Sequence, residues 1–257
     1  MKRRTFGGRC WGGLPRAWSL EADECHVWRA TLAADAKELG RLQELLGQSE
    51  RQRAGQFRFE KDRRAYILCH GILRSLLGRY LEVEPNKLSF SSNARGKPHL
   101  SQPLDNLHLR YNLSRSNGVA LFAFARYREV GVDIELLRSI PDWESIAQQM
   151  LTPQERAALY LLPAEDRLAG FFNSWTRKEA ILKATGEGIV GGMERVEVTL
   201  TPGEPARLLH IDGQASVGCQ WTLHHLDPAP NFVAAVAVKG PSVRFVCRSW
   251  EEQFNFS

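Results

Sequence analysis

Two carboxylates two residues apart, in Val130-Gly131-Val132-Asp133-Ile134-Glu135, are the first side chains here whose types and spacing suggest chemistry. On a strand, side chains alternate, so Asp133 and Glu135 share one face while Val132 and Ile134 enter a core. Neighbouring carboxylates repel unless a cation lies between them. An all-oxygen set suits a hard ion, Mg2+ above all, with waters and phosphates completing its shell. An edge strand with a polar outer face would read the same way.

A second group lies in Phe171-Phe172-Asn173-Ser174-Trp175-Thr176-Arg177-Lys178-Glu179-Ala180-Ile181-Leu182-Lys183-Ala184. On a helix Trp175, Glu179 and Lys183 are four apart and share a face. They could be an ordinary Glu–Lys pair on a solvated surface. The flanking Phe171, Phe172, Ile181 and Leu182 instead suggest a largely buried helix, where a carboxylate and an ammonium need partners or a ligand.

Two further segments mix small hydroxyl or amide groups with cations: Ser92-Asn93-Ala94-Arg95-Gly96-Lys97-Pro98 and Asn112-Leu113-Ser114-Arg115-Ser116. Both read as loops. Such chemistry binds phosphate through charge-assisted hydrogen bonds, although Arg-Gly-Lys-Pro is equally a solvated turn. Arg51, Arg53, Arg58, Lys61, Arg63 and Arg64 form the densest basic stretch, read as a helix face with some room for a partner contact.

These residues need elements to hold them. Apolar periodicity predicts helices over 32–46 and 60–81, then short strands over 87–90, 107–113, 119–124 and 130–134. Thr152-Pro153-Gln154-Glu155 is a capping box with Pro in the first helical position. A second long helix is expected over 168–184, ended by Gly186. Strands follow over 196–200, 207–211, 220–226 and 232–238. Helix followed by strands thus occurs twice, which predicts an α+β protein of two similar halves with a ligand cleft between them. The boundaries expected are a flexible leader over 1–18, a first half over 19–128 and a second over 129–257.

Composition sets outer limits. At 257 residues, 43% hydrophobic and 25% charged, the chain is ordinary globular protein, and its net charge of +5 suits an acidic or phosphorylated partner. Five scattered cysteines without CxxC, and no secretory leader, read as reduced thiols in the cytoplasm. The apolar runs at 119–125 and 232–238 are too short to span a bilayer. There is no P-loop and no nucleic-acid-binding signature, so neither a P-loop phosphotransferase nor a nucleic-acid module is expected.

Taken together, Gly131-Val132-Asp133-Ile134-Glu135, the Trp-x-x-Lys-Glu-x-x-x-Lys run from Trp175 to Lys183, Gly96-Lys97-Pro98 and Asn112-Leu113-Ser114 resemble the surfactin-synthetase-activating type of 4′-phosphopantetheinyl transferase. They come in that family's order and spacing, over residues 53–188. The resemblance implies two pseudo-symmetric α+β halves, each a helix-covered small antiparallel sheet, with coenzyme A between them. It implies Asp133, Glu135 and Glu179 as ligands of Mg2+, with Mn2+ as a substitute. Asp133, Glu179 and Lys183 would carry the catalysis, Lys183 near the pyrophosphate. Arg53 would contact the nucleotide's phosphate, and Ser92, Asn93, Arg95, Gly96, Lys97 and Pro98 would line the nucleotide, with Lys97 toward phosphate and Asn112, Ser114 and Arg115 beside them. The reaction implied is transfer of phosphopantetheine to a serine of an apo carrier protein, releasing adenosine 3′,5′-bisphosphate, by a monomer needing neither nucleic acid nor membrane. At one position the pattern bends. Where the family has Asn-x-Ser-His, this chain has Arg115, which keeps a donor and a charge but offers no neutral imidazole.

Overall fold

The computed structural model describes residue 11, residues 18–186 and residues 192–251. In chain order come β1 (Glu24–Thr31), α1 (Ala36–Glu44), α2 (Gln48–Gly55), α3 (Glu60–Leu81), a hairpin of β2 (Phe90–Ser92) and β3 (Pro98–Leu100), β4 (Leu109–Ser116) and β5 (Val119–Arg126). The series then repeats: β6 (Val130–Leu136), α4 (Trp143–Met150), α5 (Pro153–Leu161), α6 (Ala164–Thr185), a hairpin of β7 (Val196–Val198) and β8 (Leu208–Ile211), β9 (Trp221–Leu226) and β10 (Phe232–Lys239). One more strand, β11 (Arg244–Ser249), closes the chain.

The sheets repeat as the elements do. In each half the first strand pairs antiparallel with the last, which pairs antiparallel with the middle one: β1-β5-β4 and β6-β10-β9. The protein is therefore α+β with two pseudo-symmetric halves. The departure from simple antiparallel sheets is β11, which pairs with β1 in parallel register, Glu24 opposite Arg244. The last strand of the second half's sequence thus lies in the sheet of the first.

Three apolar cores stack in order. Trp28, Phe122 and Phe124 on one face of the first sheet pack against Ile67, Ile72, Leu76 and other residues of α3. The opposite face, with Val27, Leu121 and Ala123, meets Val132, Ile134 and Val236 of the second sheet. The outer face of that second sheet, through Val233, Ala235 and Ala237, receives Ile181 and Ala184 of α6. A strand buried on both faces has no polar alternation. β1 is such a strand, which is why residues 24–31 carry no period-two pattern.

The expected Thr152 capping box forms: Thr152 N donates to Glu155 Oε2 at 2.8 Å and Glu155 N donates to Thr152 Oγ1 at 3.2 Å. Gly186 ends α6 in the left-handed region at φ 73°. The leader expected over 1–18 lies mostly outside the described residues. Within it, Trp11 Nε1 donates to the Asp227 carbonyl, and Trp18 stacks on Trp28 with ring centroids 5.3 Å apart. No described helix is long and apolar enough to cross a membrane.

Candidate active site

β6 places Gly131, Asp133 and Glu135 on the face that meets α6. The helix comes unusually near: a Cβ on Gly131 would stand 2.1 Å from Ala180 O and 2.4 Å from Ala184 N. Only glycine permits that approach. Alanines at 235 and 237 on β10, both fully buried, keep the neighbouring surface low. The helix therefore lays Glu179 and Lys183 over the carboxylates of β6.

Lys183 Nζ lies 2.6 Å from Asp133 Oδ1 and donates to Ser114 Oγ at 3.1 Å, while Ser114 Oγ donates to the same Asp133 oxygen at 2.9 Å. Ser116 Oγ donates to Glu135 Oε2 at 3.0 Å. Asp133 and Glu179 are each 3% exposed. Burial above all raises the pKa of Asp133, against the pull of Lys183. Burial, then the charge of Asp133, raises Glu135. The same two causes, in the same order, push Glu179 up to about 7.

Asp133 Oδ2 and Glu179 Oε1 are buried and have no hydrogen-bond partner. Orphaned anionic oxygens facing mutually repelling carboxylates are what a divalent cation would satisfy, so the donor set fits one. Among the described residues, no three His, Cys, Asp or Glu side chains are gathered tightly enough to ring an ion. Lys183 holds the cation position on Asp133 instead.

The segment at 112–116 is not a loop but the end of β4, and its polar side chains reach the second half. Asn112 Oδ1 accepts from Val132 N at 2.9 Å, Ser114 holds Asp133, and Ser116 holds Glu135 and accepts from Leu136 N at 3.3 Å. Alternate residues of one strand thus lace the halves together alongside the carboxylates. The sequence places Ser116 in a phosphate-binding loop and suggests no role for it at the carboxylates. The spacing Asn-x-Ser-x-Ser is its signal, one face of a strand concealed by residue types that favour turns. Arg115, one residue out of phase, projects to the opposite face and stands exposed, its charge acting on Cys69 of α3. Arg53, exposed at the end of α2, acts on Tyr66, three residues before Cys69 on α3. The two arginines thus flank one stretch of that helix.

The turn at 93–97 is held by itself, Asn93 Oδ1 accepting from both Arg95 N and Lys97 N at 2.9 Å, with Gly96 at φ 86°. Ser92 and Pro98 are paired across its base, and Arg95 is exposed. Lys97 does not point to solvent. Its Nζ donates to Glu129 Oε2 at 2.8 Å, Ala184 O at 2.8 Å and Val130 O at 3.4 Å, tying the hairpin to the end of α6. A cavity of about 190 Å³ adjoins the turn, lined by Asn93, Lys97, Pro98, Arg110, Tyr111 and Glu129 among others; none of the three carboxylates borders it. Trp175 packs with Phe171 against the third core, under α6, ring centroids 6.0 Å apart. The basic stretch is largely turned on its own chain: Arg63 pairs with Glu60, and Arg51 and Arg64 donate to main-chain carbonyls.

Residues 129–237 match the 4′-phosphopantetheinyl transferase superfamily model, and residues 28–125 match the model of a 4′-phosphopantetheinyl transferase N-terminal region. The chain is 42% identical over 230 residues to the 4′-phosphopantetheinyl transferase HetI of Nostoc, covering 90% of this chain and 94% of that one. It is 30% identical over 206 residues to the Bacillus pumilus 4′-phosphopantetheinyl transferase psf-1, covering 80% and 84%. A solved coenzyme A complex of an acyl-carrier-protein synthase from Chronobacterium ammoniagenes superposes with a TM-score of 0.34 at 20% identity, over 44% of this chain and 96% of that one. The chain belongs to the 4′-phosphopantetheinyl transferase superfamily and is an enzyme that transfers phosphopantetheine from coenzyme A to carrier proteins.

Proposed function

We propose that the β6–α6 junction is the catalytic centre, with Asp133, Glu135 and Glu179 holding Mg2+, or Mn2+ in its place, and Lys183 contacting the coenzyme's pyrophosphate. The observation that carries this reading is the pair of buried, unpartnered oxygens, Asp133 Oδ2 and Glu179 Oε1, on facing elements. When bound, the ion would neutralise charge on the pyrophosphate and on the departing nucleotide phosphate.

The chain's own part is proton transfer and positioning. The serine hydroxyl of an apo carrier protein attacks the β-phosphorus, and Glu179 takes its proton; a general base of this kind contributes roughly 10²–10⁴-fold. A P–O bond forms to the serine, the pyrophosphate P–O bond breaks, and its electron pair leaves on adenosine 3′,5′-bisphosphate. Lys183 offsets the charge that develops on the leaving oxygen. The nucleophile arrives with the partner, so no Ser–His–Asp triad is needed within this chain.

Ser114 and Asn112 act from behind, fixing β6. Arg53 and Arg115, flanking α3, suit the coenzyme's 3′-phosphate, while Ser92, Asn93, Arg95, Gly96 and Pro98 suit its nucleoside. Cys25 and Cys69 as free, buried thiols suit a reducing compartment, hence the cytoplasm. Two internal halves make a monomer sufficient.

Mass spectrometry of several apo carrier proteins incubated with enzyme, coenzyme A and Mg2+ tests the reading. One carrier at least gains one phosphopantetheine with wild-type enzyme, and none does with Asp133→Ala or Glu179→Gln. Transfer by either variant at near wild-type rate would remove the metal-site assignment.

A further inference from the structure

The Lys183 ammonium stands where the carboxylates need a cation. Its Nζ, Ser114 Oγ and Asp133 Oδ1 form a closed triangle with sides of 2.6, 2.9 and 3.1 Å. The other oxygen of the same carboxylate, Asp133 Oδ2, has no partner, and neither has Glu179 Oε1. The positive charge of Lys183 acts on Asp133, Glu135 and Glu179 alike. One ammonium thus serves three acids and completes the hydrogen bonding of none.

Lys183 also has the freedom to leave. It sits in the last turn of α6, three residues before Gly186 ends the helix, and its side chain is 28% exposed against 5% for that of Asp133. A lysine ends in a point charge on a flexible four-carbon stem, which can pair with a carboxylate or a phosphate without a fixed fork geometry.

We propose that Lys183 is the enzyme's resident counter-ion, pairing with Asp133 until a divalent ion takes the carboxylates and then turning to the phosphates of coenzyme A. This rests on the metal-site reading given above. A divalent ion and an ammonium on one carboxylate repel each other, so binding of the ion weakens the Lys183–Asp133 pair. The released ammonium is then available for a charge-assisted bond to phosphate. Ion and coenzyme binding are thereby coupled through one side chain, and such coupling acts equally in both directions.

Mn2+ binding, followed by paramagnetic resonance or calorimetry without coenzyme, distinguishes the possibilities in wild type, Lys183→Met, Lys183→Gln and Asp133→Asn, each checked for its fold by circular dichroism. Both Lys183 variants are expected to bind Mn2+ about tenfold more tightly than wild type, an ordinary magnitude for coupled sites. They should also melt lower than wild type in chelator and gain more from added Mn2+. Mn2+ affinity equal to or weaker than wild type in both Lys183 variants overturns the counter-ion role. Undiminished binding by Asp133→Asn overturns the metal site itself, which separates the two failures.

Discussion

Gly131 lies so close beneath α6 that a Cβ built on it would stand 2.1 Å from the carbonyl oxygen of Ala180. That contact sets the height of the helix over β6, and with it the distance from Glu179 and Lys183 to Asp133. Gly131→Ala must push the backbone of α6 outward, since no side chain is there to yield. Overpacking a core typically costs about 1–3 kcal/mol, and the rigid partner places this variant at the upper end. We expect a lower melting temperature and a loss of transfer larger than the stability change accounts for. Normal turnover in a destabilised Gly131→Ala enzyme would mean that the helix height does not set the chemistry.

Glu179 gives a stability effect of definite sign. Its pKa is raised to about 7 by burial first and Asp133 second, so the folded protein binds more protons than the unfolded chain between about 4.5 and 7. Without divalent ions, stability from this group therefore falls as pH rises through that window, by at most about 3 kcal/mol. Glu179→Gln should abolish transfer yet melt higher than wild type at pH 8 in chelator, with the difference shrinking towards pH 5. A variant that melts lower than wild type at pH 8 would contradict the burial argument.

The legible parts of this site were those carried by local pattern. Val130-Gly131-Val132-Asp133-Ile134-Glu135 alternates, so its strand and its two-faced partition could be read directly, and the Thr152 box and Gly186 marked helix ends through local hydrogen bonding and backbone freedom. Two long helices followed from apolar periodicity. β1 and β11 were hidden because their identity depends on partners far along the chain, Glu24 opposite Arg244, and because β1 is covered on both faces. Asn112, Ser114 and Ser116 read as a phosphate loop because their side chains favour turns. Their actual acceptors and donors, on β6, exist only once the halves are docked.

Lys97 and Arg115 differ in what surrounds their charges. Lys97 Nζ has three protein acceptors, Glu129, Ala184 O and Val130 O, whereas Arg115 is exposed beside α3. Lys97→Met should therefore lower the melting temperature and change the KM for coenzyme A by less than about threefold, under 1 kcal/mol. Arg115→Ala should leave the melting temperature unchanged and raise that KM more than it lowers kcat. The opposite pattern would restore Lys97 to the phosphate and place Arg115 in the chemical step.

Lys178 stands next to Glu179 in sequence but faces the other way. Its Nζ is 2.5 Å from Glu155 Oε2 and donates to Met150 O and Met193 O at 2.9 Å, with the lysine side chain fully buried. Glu155 also accepts from Val198 N at 2.9 Å, so one ion pair joins α5, α6 and β7. Removing a single partner of such a pair costs about 3–5 kcal/mol, whereas replacing both by apolar groups can be neutral. Lys178→Met should unfold at markedly lower denaturant concentration, and Glu155→Leu with Lys178→Met should recover part of the loss. Equal stability of the single and double variants would show that a buried Glu155 without its ammonium carries no cost of its own.

His26 closes a relay of donors beneath α3. Trp28 Nε1 donates to Tyr80 Oη at 2.8 Å, Tyr80 Oη donates to His26 Nδ1 at 2.7 Å, and His26 Nε2 donates to Glu24 Oε2 at 3.2 Å. Counting donors fixes the neutral ring with its proton on Nε2, because a second proton would leave Tyr80 without an acceptor. Burial, then the charge of Arg248, lowers the His26 pKa from 6.5 to about 4, against the pull of Glu24. A depressed histidine stabilises the fold above its unfolded value and loses that contribution as pH falls from about 6.5 to 4, worth roughly 3 kcal/mol. Glu24, which pairs with Arg244, also has a lowered pKa and adds a separate loss at lower pH. His26→Gln keeps an acceptor for Tyr80 and a donor for Glu24 but cannot titrate. Chemical denaturation at pH 7.5, 5.5 and 4.5 should show wild type losing stability faster than this variant, with the gap opening below pH 6.5. Parallel pH profiles would mean that the acid sensitivity of this corner comes from Glu24 alone.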